Sequence, residues 1–127
     1  MPTNPKQIVR NYVRALTRGP LEKLREIAAP DIKGYQGGQM VQGHESLLAY
    51  ANHYRGAYPD WDITFERMVA EGTWVVGQGV SSGQGLAVRF TAWYKVARGR
   101  VTEVHIYGAE SNLDTAVPLA PRESAHA

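Results

Sequence analysis

The sequence predicts one α+β domain, in which helices pack on one face of a curved, mostly antiparallel sheet. Two observations predict this class. Up to about residue 57, apolar residues recur every three or four positions, which is the period of a buried helix face. From Trp61 onward, apolar and polar residues alternate between short turns, which is the pattern of half-buried strands. Helices followed by a run of closely connected strands are typical of α+β domains.

Length and composition limit the possible functions. The chain has 127 residues, which suits one domain, and it has no cysteine, so disulfides and thiolate metal sites are excluded. Its 14 Lys and Arg residues nearly balance 12 Asp and Glu residues and are mostly scattered, so we expect no nucleic-acid partner. The first residues lack the apolar run of a signal peptide, and no stretch reaches membrane-spanning length. We therefore expect a cytoplasmic protein with no membrane partner.

The first helix has clear start and stop signals. Asn4 can cap it, Pro5 suits its first position, and Gln7 completes a capping-box pattern. Gly19-Pro20 ends it. Its apolar face comprises Ile8, Val9, Tyr12, Val13 and Leu16.

The opposite face of this helix carries basic residues at four-residue intervals: Lys6, Arg10, Arg14 and Arg18. Such a stripe could bind phosphate or acidic lipid. The alternative is a solvated helix face that also pairs with Glu22 and Glu26. The second interpretation is the expected one.

The next segments predict a short helix, two short strands and a longer helix. The short helix buries Leu21 and Leu24 and ends before Pro30. Strands are predicted at residues 31–35 and 39–42, and the third helix begins after Gly43 and ends before Pro59. The apolar face of the third helix comprises Leu47, Leu48, Ala51 and Tyr54.

Four successive strands complete the prediction, at residues 62–70, 74–81, 86–97 and 99–110. Short turns such as Glu71-Gly72 and Ser82-Gly83 connect them, so an antiparallel meander is expected. The second of these strands and the turn after it are rich in glycine, but no Gly-Lys-Ser/Thr follows, so a phosphate-binding loop is rejected. These glycines instead favour sheet curvature.

The last strand gathers polar side chains on one face. Glu103, His105 and Tyr107 alternate with Val104 and Ile106, so all three point the same way. Polar groups leaving water need partners. This strand is therefore either half-exposed or the wall of a pocket carrying polar groups. Glu103 is expected to lie too far from the imidazole to pair with it.

Three segments together resemble the SnoaL-like polyketide cyclase branch of the NTF2-like superfamily: GHESLLAYANHYRGAYPDW, VAEGTWVV and YKVARGRVTEV. The resemblance covers about residues 8–110, which sets a single domain at 1–110 and a poorly ordered tail at 111–127. It implies a cone-shaped half barrel with three N-terminal helices. It also implies that the barrel mouth holds a small apolar molecule, without a cofactor, usually in a homodimer.

The sequence departs from this family at its catalytic positions. The cyclases place an acid/base aspartate ten residues after the turn glycine, and that position here is Ala109. A common pocket tryptophan four residues earlier is replaced by His105. Steroid isomerases of the superfamily carry a base carboxylate in the region that here reads Gly34-Tyr35-Gln36, and the Asp-Arg-Asp set of limonene-epoxide hydrolases is not found. The usual cyclase machinery is thus absent or replaced.

His105 and Tyr107 are the candidate catalytic residues. An imidazole can transfer protons near neutral pH, and a phenol can donate a hydrogen bond to an enolate or carbonyl oxygen. A structural histidine and a half-buried wall tyrosine are the alternatives. The expected substrate-binding residues are Tyr35, Trp61, Trp74, Gln78, Arg89 and Trp93, although only one of Trp93 and Tyr94 can face inward. His44 and His53 do not share a helix face, so no metal site is expected.

Three functions follow as hypotheses. The first is a cofactor-free enzyme that cyclises, by an aldol-type step, or isomerises a polyketide-like apolar carbonyl substrate. The second is a non-catalytic small-molecule-binding protein, which the alanine at the aspartate position favours. The third is an interaction module whose sheet face only forms a dimer, for which the pocket would be filled by side chains.

Overall fold

A computed structural model of the chain describes residues 4–107. Three helices lie within the first 57 residues, and a two-strand hairpin separates the second helix from the third. The helices are α1 Pro5–Thr17, α2 Glu22–Ile27 and α3 Gly43–Ala57. The strands are β1 Ala28–Gln36, β2 Gln39–Gln42, β3 Asp62–Glu71, β4 Trp74–Gly83, β5 Leu86–Ala97 and β6 Arg100–Tyr107. The predicted α+β class is confirmed.

Helix α1 begins as the sequence predicts. The side chain of Asn4 accepts a hydrogen bond from the backbone N–H of Lys6 at 2.9 Å, and Pro5 is the first helical residue. The reciprocal bond of the predicted capping box, from the backbone N–H of Asn4 to Gln7, is not found within residues 4–107, and the Gln7 amide N–H donates to Asn11 one turn later, at 2.9 Å. One side-chain oxygen on Asn4 therefore caps the helix.

The other end of α1 is held by Arg55 of α3. Its guanidinium donates to the backbone carbonyls of Ala15 at 2.7 Å, Leu16 at 3.2 Å and Gly19 at 2.7 Å. These carbonyls have no partner within the helix, and a cation also suits the negative end of the helix dipole. Arg55 thereby fixes α3 against the end of α1.

The six strands form one mixed sheet in the order β2-β1-β6-β5-β4-β3. The predicted meander from β3 to β6 is confirmed, and all its pairings are antiparallel. Strand β1 pairs with β6 in parallel, which places residues 33–36 beside residues 103–106. The structure extends β1 back to Ala28 and β4 forward to Gly83, so the turn lies at Gln84-Gly85 instead of the predicted Ser82-Gly83.

One face of the sheet packs against the helices and is called the inner face; the other is the outer face. Alternate residues of β5 lie on the inner face and are buried: Val88, Phe90, Ala92, Tyr94 and Val96. A bulge opposite Lys95 and Val96 adds Thr102 to β6. It turns Val101 to the inner face, where it is fully buried, whereas a strand without a bulge would place Val101 on the same face as Glu103.

The glycines of β4 sit where the inner face meets β3 closely. An ideal Cβ built on Gly77 would lie 2.5 Å from the ring of Phe65, and one on Gly79 would lie 2.3 Å from the backbone oxygen of Thr64. A second bulge interrupts the β3–β4 register between Phe65 and Arg67. Glycine is needed here because the neighbouring strand leaves no room for a side chain.

Several sequence predictions concern residues outside the described range. These are the domain boundary at residue 110, the tail at 111–127 and the positions of Ala109 and Glu110. Within residues 4–107, none of the helices combines the length and apolar character needed to cross a membrane.

Candidate functional site

A cavity of about 380 Å³ lies between helices α1 and α3 and the β2–β1–β6 edge of the sheet. This volume is in the range of sites for small organic molecules. None of the side chains from residues 4–107 that line it is charged. The lining residues are Tyr12, Ile32, Gly34, Tyr35, Gln36, Gln39, Met40, Val41, Leu47, Tyr50, Val104 and Ile106.

A smaller space of about 50 Å³ adjoins this cavity and reaches deeper under the sheet. The two share Tyr12, Gln36 and Tyr50 among their walls, and Tyr94 and Trp61 border the deeper part. The rings of Tyr12 and Tyr94 meet edge to face, with centroids 6.1 Å apart. Three tyrosines, one from each of α1, α3 and β5, thus converge at the inner end of the cavity.

Hydrogen bonds orient two of the polar groups in these walls. The hydroxyl of Tyr50 donates to Oε1 of Gln36 at 3.0 Å, which ties α3 to the end of β1. The indole N–H of Trp61 donates to the hydroxyl of Ser81 at 3.0 Å. Trp61 also stacks on Tyr54 at 5.1 Å. The inner end of the cavity is therefore a pre-arranged wall of rings and hydroxyls.

Burial favours the neutral, protonated form of the two innermost tyrosines, Tyr12 and Tyr94. Burial raises the pKa of the Tyr12 phenol above its ordinary value. Burial also raises the pKa of Tyr94, and the neighbouring phenols of Tyr12 and Tyr50 raise it further. Desolvation disfavours the charged phenolate, so both groups stay neutral at physiological pH. They can donate hydrogen bonds to a ligand, but they are poor general bases.

The two candidate catalytic residues do not face this cavity. His105 lies beside Trp93 and Tyr107 beside Thr91 on the outer face, whereas Val104 and Ile106 line the cavity. Of the two alternatives for this strand, the half-exposed one is observed, and the polar set of β6 does not line the cavity. The apolar set points inward because the helices cover that face, and burying apolar side chains there stabilises the fold. These positions do not support a role for His105 or Tyr107 in catalysis on a ligand bound in the cavity.

His105 is held within an aromatic cluster on the outer face. Its Nε2 lies 2.8 Å from Oε1 of Glu103, so the expectation that these groups are too far apart is wrong. Residues two apart on a strand share a face, with about 6.6 Å between their Cα atoms, which two side chains can bridge. The imidazole stacks on Tyr35 at 4.7 Å and lies 6.4 Å from the ring of Tyr107. This arrangement agrees with the alternative interpretation of His105, which is that it is a hydrogen-bonded structural histidine.

The structure divides the predicted substrate-binding residues between the two faces. Trp61 borders the deeper space, and Tyr35 lies at the cavity rim while its ring stacks on the outer face. The other four lie on the outer face: Trp74, Gln78, Arg89 and Trp93. Arg89 forms an ion pair with Glu66 there, as an arginine on the exposed surface of a strand.

For the pair Trp93 and Tyr94, Tyr94 faces inward and is 3% exposed, whereas Trp93 faces outward and is 43% exposed.

Sequence reasoning missed most of the residues that line the cavity. Tyr12 was assigned to the apolar face of α1 and Leu47 to that of α3, without a binding role. Tyr50 and Gln36 were not singled out. A usable signal was a tyrosine on the apolar face of a helix, because its buried hydroxyl requires a polar partner or a ligand.

These features define a class of protein. A six-stranded mixed sheet, covered on one face by three helices that enclose an apolar cavity, is the NTF2-like or ketosteroid isomerase-like fold. The sequence profile of the SnoaL-like domain matches residues 9–104, which is well over half of the chain. The chain belongs to the SnoaL-like domain family.

Solved structures agree on the fold. A candidate polyketide cyclase from Sinorhizobium meliloti superposes with a TM-score of 0.72 at 22% identity, over 80% of this chain and 94% of that one. A protein of ketosteroid isomerase-like fold from Catenulispora acidiphila, solved with trimethylamine, gives 0.74 at 18% identity, over 84% and 88% of the chains. IdmH, a candidate polyketide cyclase from Streptomyces antibioticus, gives 0.69 at 20% identity, over 87% and 95%. No curated protein matches the chain significantly.

Proposed function

We propose that the protein binds a small, mostly apolar molecule that presents a carbonyl or similar oxygen to the inner end of the cavity. The observation that carries this proposal is the uncharged cavity of about 380 Å³ that ends at the phenols of Tyr12, Tyr50 and Tyr94. The apolar walls favour a hydrophobic body and disfavour an unpaired charge. The phenols of Tyr12 and Tyr94 offer hydrogen-bond donors, so an acceptor oxygen fits that end.

The described cavity supports binding more directly than acid/base catalysis. Neutral phenols can stabilise an oxyanion that develops on a bound carbonyl. Abstraction of a proton also needs a base, and no carboxylate or imidazole borders the cavity within residues 4–107. We therefore place non-catalytic binding first.

The second candidate is the acid/base enzyme. Membership of the SnoaL-like family favours it, as does the likeness in fold to candidate polyketide cyclases. In this scheme, a base removes a proton next to a carbonyl of a polyketide-like substrate. The resulting enolate oxygen accepts a hydrogen bond from Tyr12 or Tyr94, and an aldol-type closure or an isomerisation follows. The scheme uses no cofactor.

Binding can be measured with 6-propionyl-2-(dimethylamino)naphthalene, a neutral aromatic ketone whose fluorescence responds to its surroundings. We expect saturable one-to-one binding. Tyr12→Phe should weaken it about fivefold, since one hydrogen bond contributes about 1 kcal/mol. Leu47→Trp should abolish binding by filling the cavity. Tyr107→Phe makes the same chemical change on the outer face and should leave the affinity unchanged. Unaltered binding to the Leu47→Trp variant would refute this location.

Catalysis can be separated from binding by following deuterium exchange at the α-carbon of 2-tetralone in D₂O by NMR. Non-catalytic binding predicts exchange at the buffer rate. Faster exchange would support the enzyme and displace the binding proposal. If His105→Ala abolished this faster exchange, a role in proton transfer would be established for His105, even though it lies on the outer face.

We also propose that the protein forms a homodimer through the outer face of the sheet. Large apolar side chains are exposed there, including Trp93 and Val69, and Tyr107 is 55% exposed. Contiguous exposed apolar surface commonly marks an interaction site.

A further inference from the structure

A second depression runs between helix α1 and the first residues of β3, and we call it the arginine groove. Its volume is about 360 Å³, and it shares no lining residue with the 380 Å³ cavity. It is lined by Arg10, Val13, Arg14, Thr17, Arg18, Asp62, Ile63, Thr64 and Phe65. Three of these residues belong to the basic stripe of α1.

Among residues 4–107, Asp62 is the only acidic residue that lines the groove, and its carboxylate is already engaged. Its Oδ1 accepts a hydrogen bond from the guanidinium of Arg18. Its Oδ2 accepts one from the hydroxyl of Thr64 at 3.3 Å. Arg18 and Asp62 thus neutralise each other, and both oxygens of Asp62 have partners.

Arg10 and Arg14 are left with uncompensated charge. The sequence predicted that the basic stripe pairs with Glu22 and Glu26, but these residues pair within α2 instead. Glu22 lies 3.1 Å from Arg25, and Glu26 lies 3.8 Å from Lys23. Across residues 4–107, neither Arg10 nor Arg14 forms an ion pair. The groove therefore carries two positive charges without a counter-charge.

The spacing of these two arginines suits an oxyanion. Residues four apart lie about 6 Å apart along a helix and project from the same face. A guanidinium presents a planar set of donors that matches phosphate or carboxylate oxygens. Val13, Ile63 and Phe65 add apolar wall to the same groove.

We propose that the arginine groove binds the phosphate group of a small phosphate monoester, whose organic part lies against Val13 and Phe65. Two free guanidinium groups balance the nearly doubly charged phosphate better than a singly charged carboxylate. This site is separate from the ligand cavity, so it does not depend on the function proposed above.

Phenyl phosphate is a suitable probe, and phenylacetate and phenol are the singly charged and neutral comparisons. Titration followed by backbone amide NMR in 0.15 M NaCl should give saturable shifts at Thr64 and Phe65. Phenyl phosphate should bind at least ten times more tightly than phenol, with phenylacetate between them. The double variant Arg10→Gln/Arg14→Gln should weaken phenyl phosphate at least tenfold.

The double variant Arg67→Gln/Arg100→Gln is the matched control, because it removes the same charge at exposed positions outside the groove. Its affinity for phenyl phosphate should change by less than twofold. An equal loss in both double variants would overturn the proposal, because it would show general charge attraction. The absence of saturable shifts would also overturn the proposal. Shifts centred on Val41 and Val104, which line the other cavity, would overturn it too.

Discussion

At the scale of single residues, the buried tyrosines have the clearest consequences. Tyr12 and Tyr94 place two hydroxyls among apolar side chains, and burial raises the pKa of both. The same desolvation that keeps them as hydrogen-bond donors also makes the fold sensitive to alkali. A phenol in the unfolded chain ionises near pH 10, whereas these two stay protonated in the folded chain above that pH.

The folded protein should therefore lose stability as pH rises above 10. Below pH 10, both states hold the protons and the contribution of these residues is fully present. Above it, the unfolded chain releases protons that the folded chain retains, which lowers the free energy of unfolding by about 1.4 kcal/mol per pH unit for each tyrosine. Tyr12→Phe should reduce this slope by about that amount in urea unfolding at pH 9 to 11. Tyr107→Phe, at an exposed tyrosine, should not change it.

At the scale of elements, the pairing of β3 with β4 depends on glycine. The backbone of β3 approaches Gly79 at the residue before a bulge, so β4 has no space for a side chain at that point. Gly56 in α3 offers a contrast, because a Cβ there would meet no atom within 4 Å. Comparing alanine variants at the two positions separates the effect of the close backbone approach at Gly79 from the general effect of replacing a glycine.

Gly79→Ala should lower the free energy of unfolding by about 3 kcal/mol, since backbone atoms of Thr64 must move. Gly56→Ala should raise it by about 0.5 to 1 kcal/mol, because alanine loses less chain entropy in a helix. Urea unfolding followed by tryptophan fluorescence measures both. If Gly79→Ala left the free energy of unfolding unchanged, β3 would be free to shift, which would contradict its close approach to Gly79.

At the scale of the whole molecule, the two faces of the sheet have different roles. The inner face and the helices enclose the cavity, while the outer face presents Trp93, Tyr107 and the Glu103–His105 pair. Ligand binding and self-association should therefore be separable by mutation.

Trp93→Glu should weaken the proposed homodimer at least tenfold in sedimentation equilibrium, because it places a charge in an apolar contact. Asn52→Glu adds the same charge on the exposed surface of α3 and should leave association unchanged. The ketone probe should bind both variants as it binds the unaltered protein. A wild-type chain that stays monomeric at 100 μM would contradict the homodimer.

The sequence was sufficient for the architecture and insufficient for the orientation of the last strand. Helix and strand periods identified the nine elements found within residues 4–107, since each element must bury one apolar side. Alternation along β6 showed which side chains share a face, but it could not show which face the helices cover. The polar set was assigned to the cavity by the resemblance of His105 to a pocket position, and the packing of Val104 and Ile106 reversed that assignment.

The cavity residues were harder to predict because their proximity depends on tertiary structure. Tyr12, Gln36 and Tyr50 come from three elements that meet only when α1 and α3 pack on β1. Likewise, the ion pair between Arg18 and Asp62 joins residues 44 positions apart, and no local pattern favours it over pairing with Glu22.

The parallel pairing of β1 with β6 has a consequence for the order in which the chain can fold on the ribosome. Strand β1 is complete by Gln36, yet its neighbour on that side begins only at Arg100. Until β6 has been synthesised, the β1–β2 hairpin cannot pair with the rest of the sheet. The cavity then also lacks the wall formed by Val104 and Ile106. The cavity is thus completed late, by the last described strand, and a nascent chain that stalls before it would expose the apolar faces of α1 and α3 to chaperones.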